Sequence, residues 1–219
     1  MELAGKKIAF LGDSITEGVG VSAPEHMFWN VIAQRTGAQC FGYGIGGTRI
    51  APQRFPSEEY PRWDLYFASR VEEMIPDADI VVVFGGTNDY GHGDAALGKF
   101  GDCTEDTFYG AYHQLLAKLN DRYPNAQLVV MTPLHREGED TVLYNSMGIR
   151  RAGPLSVYVQ AIREVAQHYG VAVVDLFRDC PIQLNFPQHK MMYCPDGLHP
   201  NDAGHVKIAQ CVLRVLNSL

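Results

Sequence analysis

Short β-branched or apolar runs alternate with longer amphipathic stretches from one end of the chain to the other, and few architectures accept that pattern. The runs predicted as strands are Lys7 to Leu11, Gln39 to Tyr43, Ile80 to Phe84, Gln127 to Met131 and Val171 to Leu176. Four of the five are apolar with little alternation, as strands covered on both faces must be. Between them, His26 to Thr36 carries Phe28, Val31 and Ile32 ahead of a Gly37 stop, and Phe108 to Tyr123 gathers Tyr112, Leu115, Leu116 and Leu119 on one face. Leu155 to Tyr169, closed by Gly170, and Asp202 to Leu216 show the same helical spacing. The expectation is an α/β protein, a parallel sheet between two helical layers.

At 219 residues, 46% of them hydrophobic, the chain can bury a core without a metal or disulfide staple, and residues 1–219 read as a single domain. The 25 acidic residues outnumber 18 basic ones, for a formal charge of −7, and no Lys/Arg run is present, which argues against a nucleic-acid partner. Five scattered cysteines lack Cys-x-x-Cys spacing and read as buried hydrophobes in a reducing, cytoplasmic setting. The longest apolar run, Ile80 to Phe84, is too short to span a membrane. Trp29 and Trp63 read as core or loop-anchoring aromatics, and a homo-oligomer is left open.

In an open α/β sheet, ligands sit beyond the carboxyl ends of the strands, and four polar segments fall there. The first strand runs into Gly12-Asp13-Ser14-Ile15-Thr16-Glu17-Gly18, where a serine on a tight strand-to-helix turn would be exposed at the rim. A serine hydroxyl is a poor nucleophile without a base, and the base needs a carboxylate to orient it. Asp196-Gly197-Leu198-His199-Pro200 offers both, with Pro200 biasing His199 toward extended backbone. Gly44-Ile45-Gly46-Gly47-Thr48 and Gly85-Gly86-Thr87-Asn88-Asp89 could supply the backbone and amide donors that a tetrahedral oxyanion requires. Each segment alone also reads as a turn or helix cap.

Together, Gly12-Asp13-Ser14-Ile15, Gly44-Ile45-Gly46-Gly47, Gly86-Thr87-Asn88-Asp89 and Asp196-Gly197-Leu198-His199 resemble the four ordered blocks of the SGNH, or GDSL, hydrolase family. They span residues 12 to 199. The resemblance implies a flavodoxin-like three-layer α/β/α sandwich around a five-stranded parallel sheet. It also implies a serine esterase or acylhydrolase; no cofactor is expected, and no metal, since ligand spacing is lacking. By the same resemblance, Ser14 would be the nucleophile, His199 the general base and then acid, and Asp196 its orienting partner. The Ser14 and Gly47 N–H groups and the Asn88 side chain would form the oxyanion hole. The second block often has Ser or Asn before its final Gly, whereas Gly46 stands there in this chain, so Gly46 competes with Gly47 as the donor.

Other hydrolase patterns are missing: there is no Gly-x-Ser-x-Gly, no Ser-x-x-Lys and no His-x-x-x-His. His92, Asp94 and Asp89 make the nearest metal-like cluster and read instead as a polar active-site loop, with a metal-dependent esterase as the rival enzyme. A non-catalytic α/β module holding a phospho-ligand would have no use for the Asp196 and His199 pair. Two long stretches without periodicity, Ile50 to Asp64 and Leu134 to Gly153, are candidate pocket walls. Asp13, Tyr90, His92, His135 and Arg136 are candidate substrate-binding residues. The expected substrate is a small-molecule ester with a short acyl group on a polar alcohol, such as an acetylated carbohydrate, with a lysophospholipase or thioesterase as the alternative.

Overall fold

A computed structural model of the chain describes residues 2–141 and 153–219. In chain order the elements are β1 (Lys7–Gly12), α1 (Ser14–Glu17), α2 (Phe28–Thr36), β2 (Gln39–Gly44), β3 (Ile80–Phe84), α3 (Thr87–His92), α4 (Phe108–Arg122), β4 (Gln127–Met131), α5 (Leu155–Tyr169), β5 (Ala172–Val174), α6 (Leu176–Asp179), α7 (Pro187–Tyr193) and α8 (Asp202–Leu216). Single 3₁₀ segments lie at Pro24–His26, Pro61–Asp64 and Phe67–Glu73. The sheet has five strands in the order β2-β1-β3-β4-β5, every pair parallel. This is the expected α/β architecture.

Strand side chains point alternately to the two faces, and the core divides accordingly. Ala9, Leu11, Val81, Val83 and Val130 pack under α4, α5 and the 3₁₀ segment at Phe67–Glu73. Ile8, Phe10, Ile80, Val82, Phe84, Val129 and Met131 pack under α2 and α8. Because both faces are covered, β1 and β3 are buried almost end to end, which explains their unbroken apolar sequences.

Several boundaries differ from the sequence reading. The last strand is shorter than Val171 to Leu176, because the Asp175 side chain accepts from Arg178 N and caps α6. The helix expected over His26 to Thr36 begins at Phe28, after the 3₁₀ turn at Pro24–His26. α3 occupies Thr87–His92, where the glycines suggested only a loop; Gly86, at φ +106°, permits the turn from β3 into it. The stretch Ile50 to Asp64 is irregular except for Pro61–Asp64, whereas Leu134 to Gly153 falls largely outside the described residues.

Strand order reverses between β1 and β3: β2 is added on one side of β1, and β3 to β5 extend on the other. The crevice of such a sheet opens at that switch point, beyond the carboxyl ends of β1 and β3. α1 and α3 begin there.

Candidate active site

Ser14 opens α1 directly after β1, held by a local cap in which the Asp13 carboxylate accepts from Ile15 N at 3.1 Å. The close turn depends on Gly12, where any Cβ would collide with the Thr16 side chain. On the far side, the indole of Trp29 donates to Thr16 O at 3.0 Å and fixes α1 against α2.

The segment Asp196–Pro200 folds back on itself. Asp196 Oδ1 accepts from the backbone N–H groups of Leu198 (2.8 Å) and His199 (2.7 Å), and its Oδ2 accepts from His199 Nδ1 at 2.7 Å. His199 Nε2 then accepts from Ser14 Oγ at 3.0 Å. Partial desolvation pushes the Asp196 carboxyl upward, but the two amide donors and the imidazole outweigh it and hold the pKa below the usual carboxylate value.

Two further strand ends close on Ser14. Asn88, in the first turn of α3, is buried and gives one amide hydrogen to Thr48 O at 3.0 Å. A carboxamide nitrogen carries two hydrogens, so one remains for the cleft. In the turn after β2, Gly46 N donates to Glu17 Oε2 at 2.6 Å, whereas Gly47 N has no protein partner among the described residues. Gly47 sits at φ +78°, and a Cβ there would strike the Trp63 indole. Of the two glycines, Gly47 is the one with an open donor.

Beneath this surface lies a buried layer of charge. Asp89 accepts from Ile50 N and Ala51 N, both at 3.0 Å, pinning the chain that follows Thr48. Arg70, 3% exposed, donates to Tyr43 O, Gly12 O and Thr48 Oγ1, tying the ends of β1 and β2 together. Burial pushes the Asp13 carboxyl up to about 7 and the Asp89 carboxyl up to about 6; the same cause lowers Arg70 to about 10.

The cleft above Ser14 has a volume of about 420 Å³, and its wall includes Glu17, Arg62, Trp63, His92, Arg136 and His199. Arg49, 2% exposed, donates to His92 Nδ1 (2.7 Å), Trp63 O (3.0 Å) and Asp64 Oδ1 (3.0 Å). A guanidinium only donates, so the proton of neutral His92 is on Nε2. The His92 ring is tilted against Trp63 with centroids 4.7 Å apart, and Tyr60 stacks on the indole at 4.3 Å. Trp63 is thus part of the cleft wall and more than a loop anchor.

The five candidate substrate-binding residues divide. His92 and Arg136 reach the cleft wall, and Arg136 Nη1 is held by Thr87 O and Oγ1 at 3.1 and 3.2 Å. Tyr90 is 1% exposed, with its hydroxyl directed at Gly138 O and Thr141 O. His135 does not line this cleft; Glu139 binds its Nδ1 at 2.7 Å and the Phe177 ring lies tilted against its own. Asp13 lies buried below Ser14. The cluster of His92, Asp94 and Asp89 is dispersed by its partners, since Asp94 binds Arg54 N and Phe55 N while Asp89 holds the 50–51 amides. Sequence reading missed Glu17, Arg49, Arg62, Trp63 and Arg70. Only Glu17 carried a local signal, because its i+3 spacing puts it on the Ser14 side of one helical turn.

Known proteins share this fold. A protein from Lactobacillus plantarum is 33% identical, with a TM-score of 0.80 and 98% of each chain covered. The acetyl xylan esterase AlAXEase is 26% identical, with a TM-score of 0.66, covering 95% of this chain and 98% of its own. A two-domain esterase (CEX) active on acetylated mannans shares the fold at 21% identity and a TM-score of 0.62; the match covers 98% of this chain and 49% of that one. No curated protein sequence matches the chain. A model of the GDSL-like Lipase/Acylhydrolase family matches residues 10–207, a span that holds the three segments at strand ends and the Asp196–His199 segment between α7 and α8, and the chain belongs to that family of hydrolases.

Proposed function

We propose that the chain is a serine carboxylic ester hydrolase that removes short acyl groups from polar alcohols, acetylated carbohydrates being the favoured class. The observation that carries this reading is the continuous run from Asp196 Oδ2 through His199 to Ser14 Oγ, at 2.7 and 3.0 Å. Ser14 Oγ attacks the ester carbonyl carbon while its proton passes to His199 Nε2, and the imidazolium is steadied by Asp196. The carbonyl oxygen becomes an oxyanion facing the Ser14 N–H, the Gly47 N–H and the second Asn88 amide hydrogen. As the C–O bond breaks, His199 returns the proton to the leaving alcohol. Water then attacks the acyl-enzyme with His199 again taking the proton, and His199 returns it to Ser14 Oγ as the acyl C–O bond breaks and the carboxylic acid departs.

A small acyl group is supported by the tight approach of Trp63 to Gly47, and a polar alcohol by the charged and aromatic wall of Arg62, Arg136, Trp63 and His92. The likeness to an acetyl xylan esterase points the same way. Ser14→Ala is expected to abolish ester turnover without altering the melting temperature, and a fluorophosphonate to label Ser14 alone, read by mass spectrometry. Full activity of the Ala variant would overturn the mechanism.

A further inference from the structure

One carboxylate in the cleft has no part in the reaction above, yet it touches both halves of the machinery. Glu17 is the last residue of α1, three positions after Ser14, and is 31% exposed. Its Oε2 accepts from Gly46 N at 2.6 Å, and its Oε1 accepts from Arg62 Nη2 at 2.7 Å. The two structures it joins are already in close contact, because a Cβ at Gly44 would collide with the backbone of Thr16 and Glu17. From the 39–44 strand onward, the turn Ile45–Thr48 is held at its base by Arg70 on Thr48 Oγ1 and by Thr48 N on Ile45 O. At its tip, the protein contact made by the two glycine amides is the Glu17 bond.

The Gly46 and Gly47 N–H groups sit on two planar peptide units joined through the Gly46 φ and ψ alone, so anchoring the first unit leaves just those two torsions to set the direction of the second. With Gly46 N fixed on a carboxylate, and with Trp63 pressed against Gly47, the Gly47 peptide is confined from both sides. A charge-assisted bond of this length is among the stronger ways to hold a glycine turn. Without it, two adjacent glycines would have a wide range of torsions open to them.

We infer that Glu17 is a positioning residue that sets the oxyanion donor: by binding Gly46 N, it locks the Gly47 N–H in register with Ser14 on its own helix. The inference rests on the serine-esterase reading. It also explains why the nucleophile and the donor turn, on different strands, keep a fixed relation: α1 carries the serine at one end and the clamp at the other. Arg62 fixes the second carboxylate oxygen, so the clamp is continuous with the residue that precedes Trp63 in the cleft wall.

The test is a series of three variants, each assayed on phenyl acetate for kcat and KM, alongside thermal melting and the inhibition constant of phenylboronic acid. The boronate forms a tetrahedral adduct on an active serine and samples the oxyanion hole, whereas acetate, as a product inhibitor, samples binding alone. Glu17→Ala and Glu17→Asp remove the bond, the second while keeping the charge; Glu17→Gln keeps both the length and an acceptor oxygen. The expected order of kcat is wild type, then Gln, then Asp and Ala together, with Ala lower than wild type by about 10- to 100-fold. KM and acetate inhibition should move less than threefold, and boronate affinity should fall in step with kcat. An Asp variant as active as wild type, or kcat within twofold throughout the series, would overturn the inference. A loss confined to KM would do the same, because it would assign Glu17 to substrate binding. Failure of the underlying reading is distinguishable: phenylboronic acid would then not inhibit the wild-type protein, and fluorophosphonate would not label Ser14.

Discussion

Ser14 Oγ and His199 Nε2 stand 3.0 Å apart although 185 positions separate them in the chain. Their meeting is prepared outside the site. Ser22 donates through N and Oγ to Asp202 at the start of α8, and Phe28 N donates to His205 Nδ1 at 3.0 Å. Gly20, at φ +98°, lets the loop after α1 press against His199 and Pro200, where a Cβ would clash with the Pro200 carbonyl. The N-terminal loop and the last helix are thereby stitched together, and the hydroxyl and imidazole are delivered from opposite sides of the stitch.

Asp196 is half exposed, yet it makes three hydrogen bonds within one turn, and this combination defines what its substitution should do. In Asp196→Asn the carboxamide oxygen can still accept from Leu198 N and His199 N. Its NH₂ would then face His199 Nδ1 and favour the tautomer with the proton on Nε2, which cannot take a proton from Ser14. The expected result is a fall in kcat of about 10⁴-fold with an unchanged melting temperature. A fall of less than tenfold would show that His199 is oriented by something else.

Asn88 combines two functions in one amide group, since one hydrogen holds Thr48 O and the other is left for the cleft. Asn88→Ala should lower kcat by about 10²- to 10³-fold with little change in KM. Because the side chain is buried, some loss of thermal stability should accompany it. Asn88→Asp, which has no donor, should be as slow as the Ala variant, and rapid turnover by it would remove this side chain from oxyanion binding.

What the sequence made legible and what it did not follow a physical line. β1, β3 and β4 were readable to within a residue because strands buried on both faces must be apolar throughout. Ser14, His199, Asp196, Gly47 and Asn88 were legible as candidates because four short segments, each ambiguous alone, occur in one order along the chain, and the structure gathers them around Ser14. α3 was hidden by Gly86, Gly91 and Gly93, which look like loop residues although a short helix runs between the first and last. The 3₁₀ segment at Phe67–Glu73 buries Phe67, Val71 and the charged Arg70, and that charge obscured an otherwise apolar face. Arg49, Arg70 and Trp63 owe their roles to partners at long range, such as Arg70 with Gly12 58 positions away, and no local spacing encodes that.

The buried Asp13 carboxyl gives a pH dependence of defined sign. In the unfolded chain it titrates at its ordinary value of 3.8, whereas in the folded protein burial raises it to about 7. Between those values the folded state binds the extra proton, so stability falls as the pH rises from about 4 to about 7. Asp13→Asn, which keeps an acceptor for Ile15 N, should flatten that part of the curve and be the more stable protein at pH 8. Urea unfolding at a series of pH values would measure it, and parallel curves for the two proteins would refute the assignment.

Trp63 should limit the length of the acyl group. Its indole rests against Gly47, is stacked on by Tyr60 at 4.3 Å and has the His92 ring tilted against it at 4.7 Å, while Arg49 holds its backbone carbonyl. A side chain held on three sides cannot swing away to admit a longer chain, and each methylene that does not fit costs roughly 1–3 kcal/mol of discrimination. Wild-type kcat/KM on p-nitrophenyl esters is therefore expected to fall steeply from acetate to butyrate and further to octanoate. Trp63→Ala should leave the Ser14 and His199 pair intact and raise the butyrate-to-acetate ratio by about tenfold. A flat profile in the wild type would contradict the short-acyl reading, while an unchanged ratio in the variant would move the limiting wall elsewhere in the cleft.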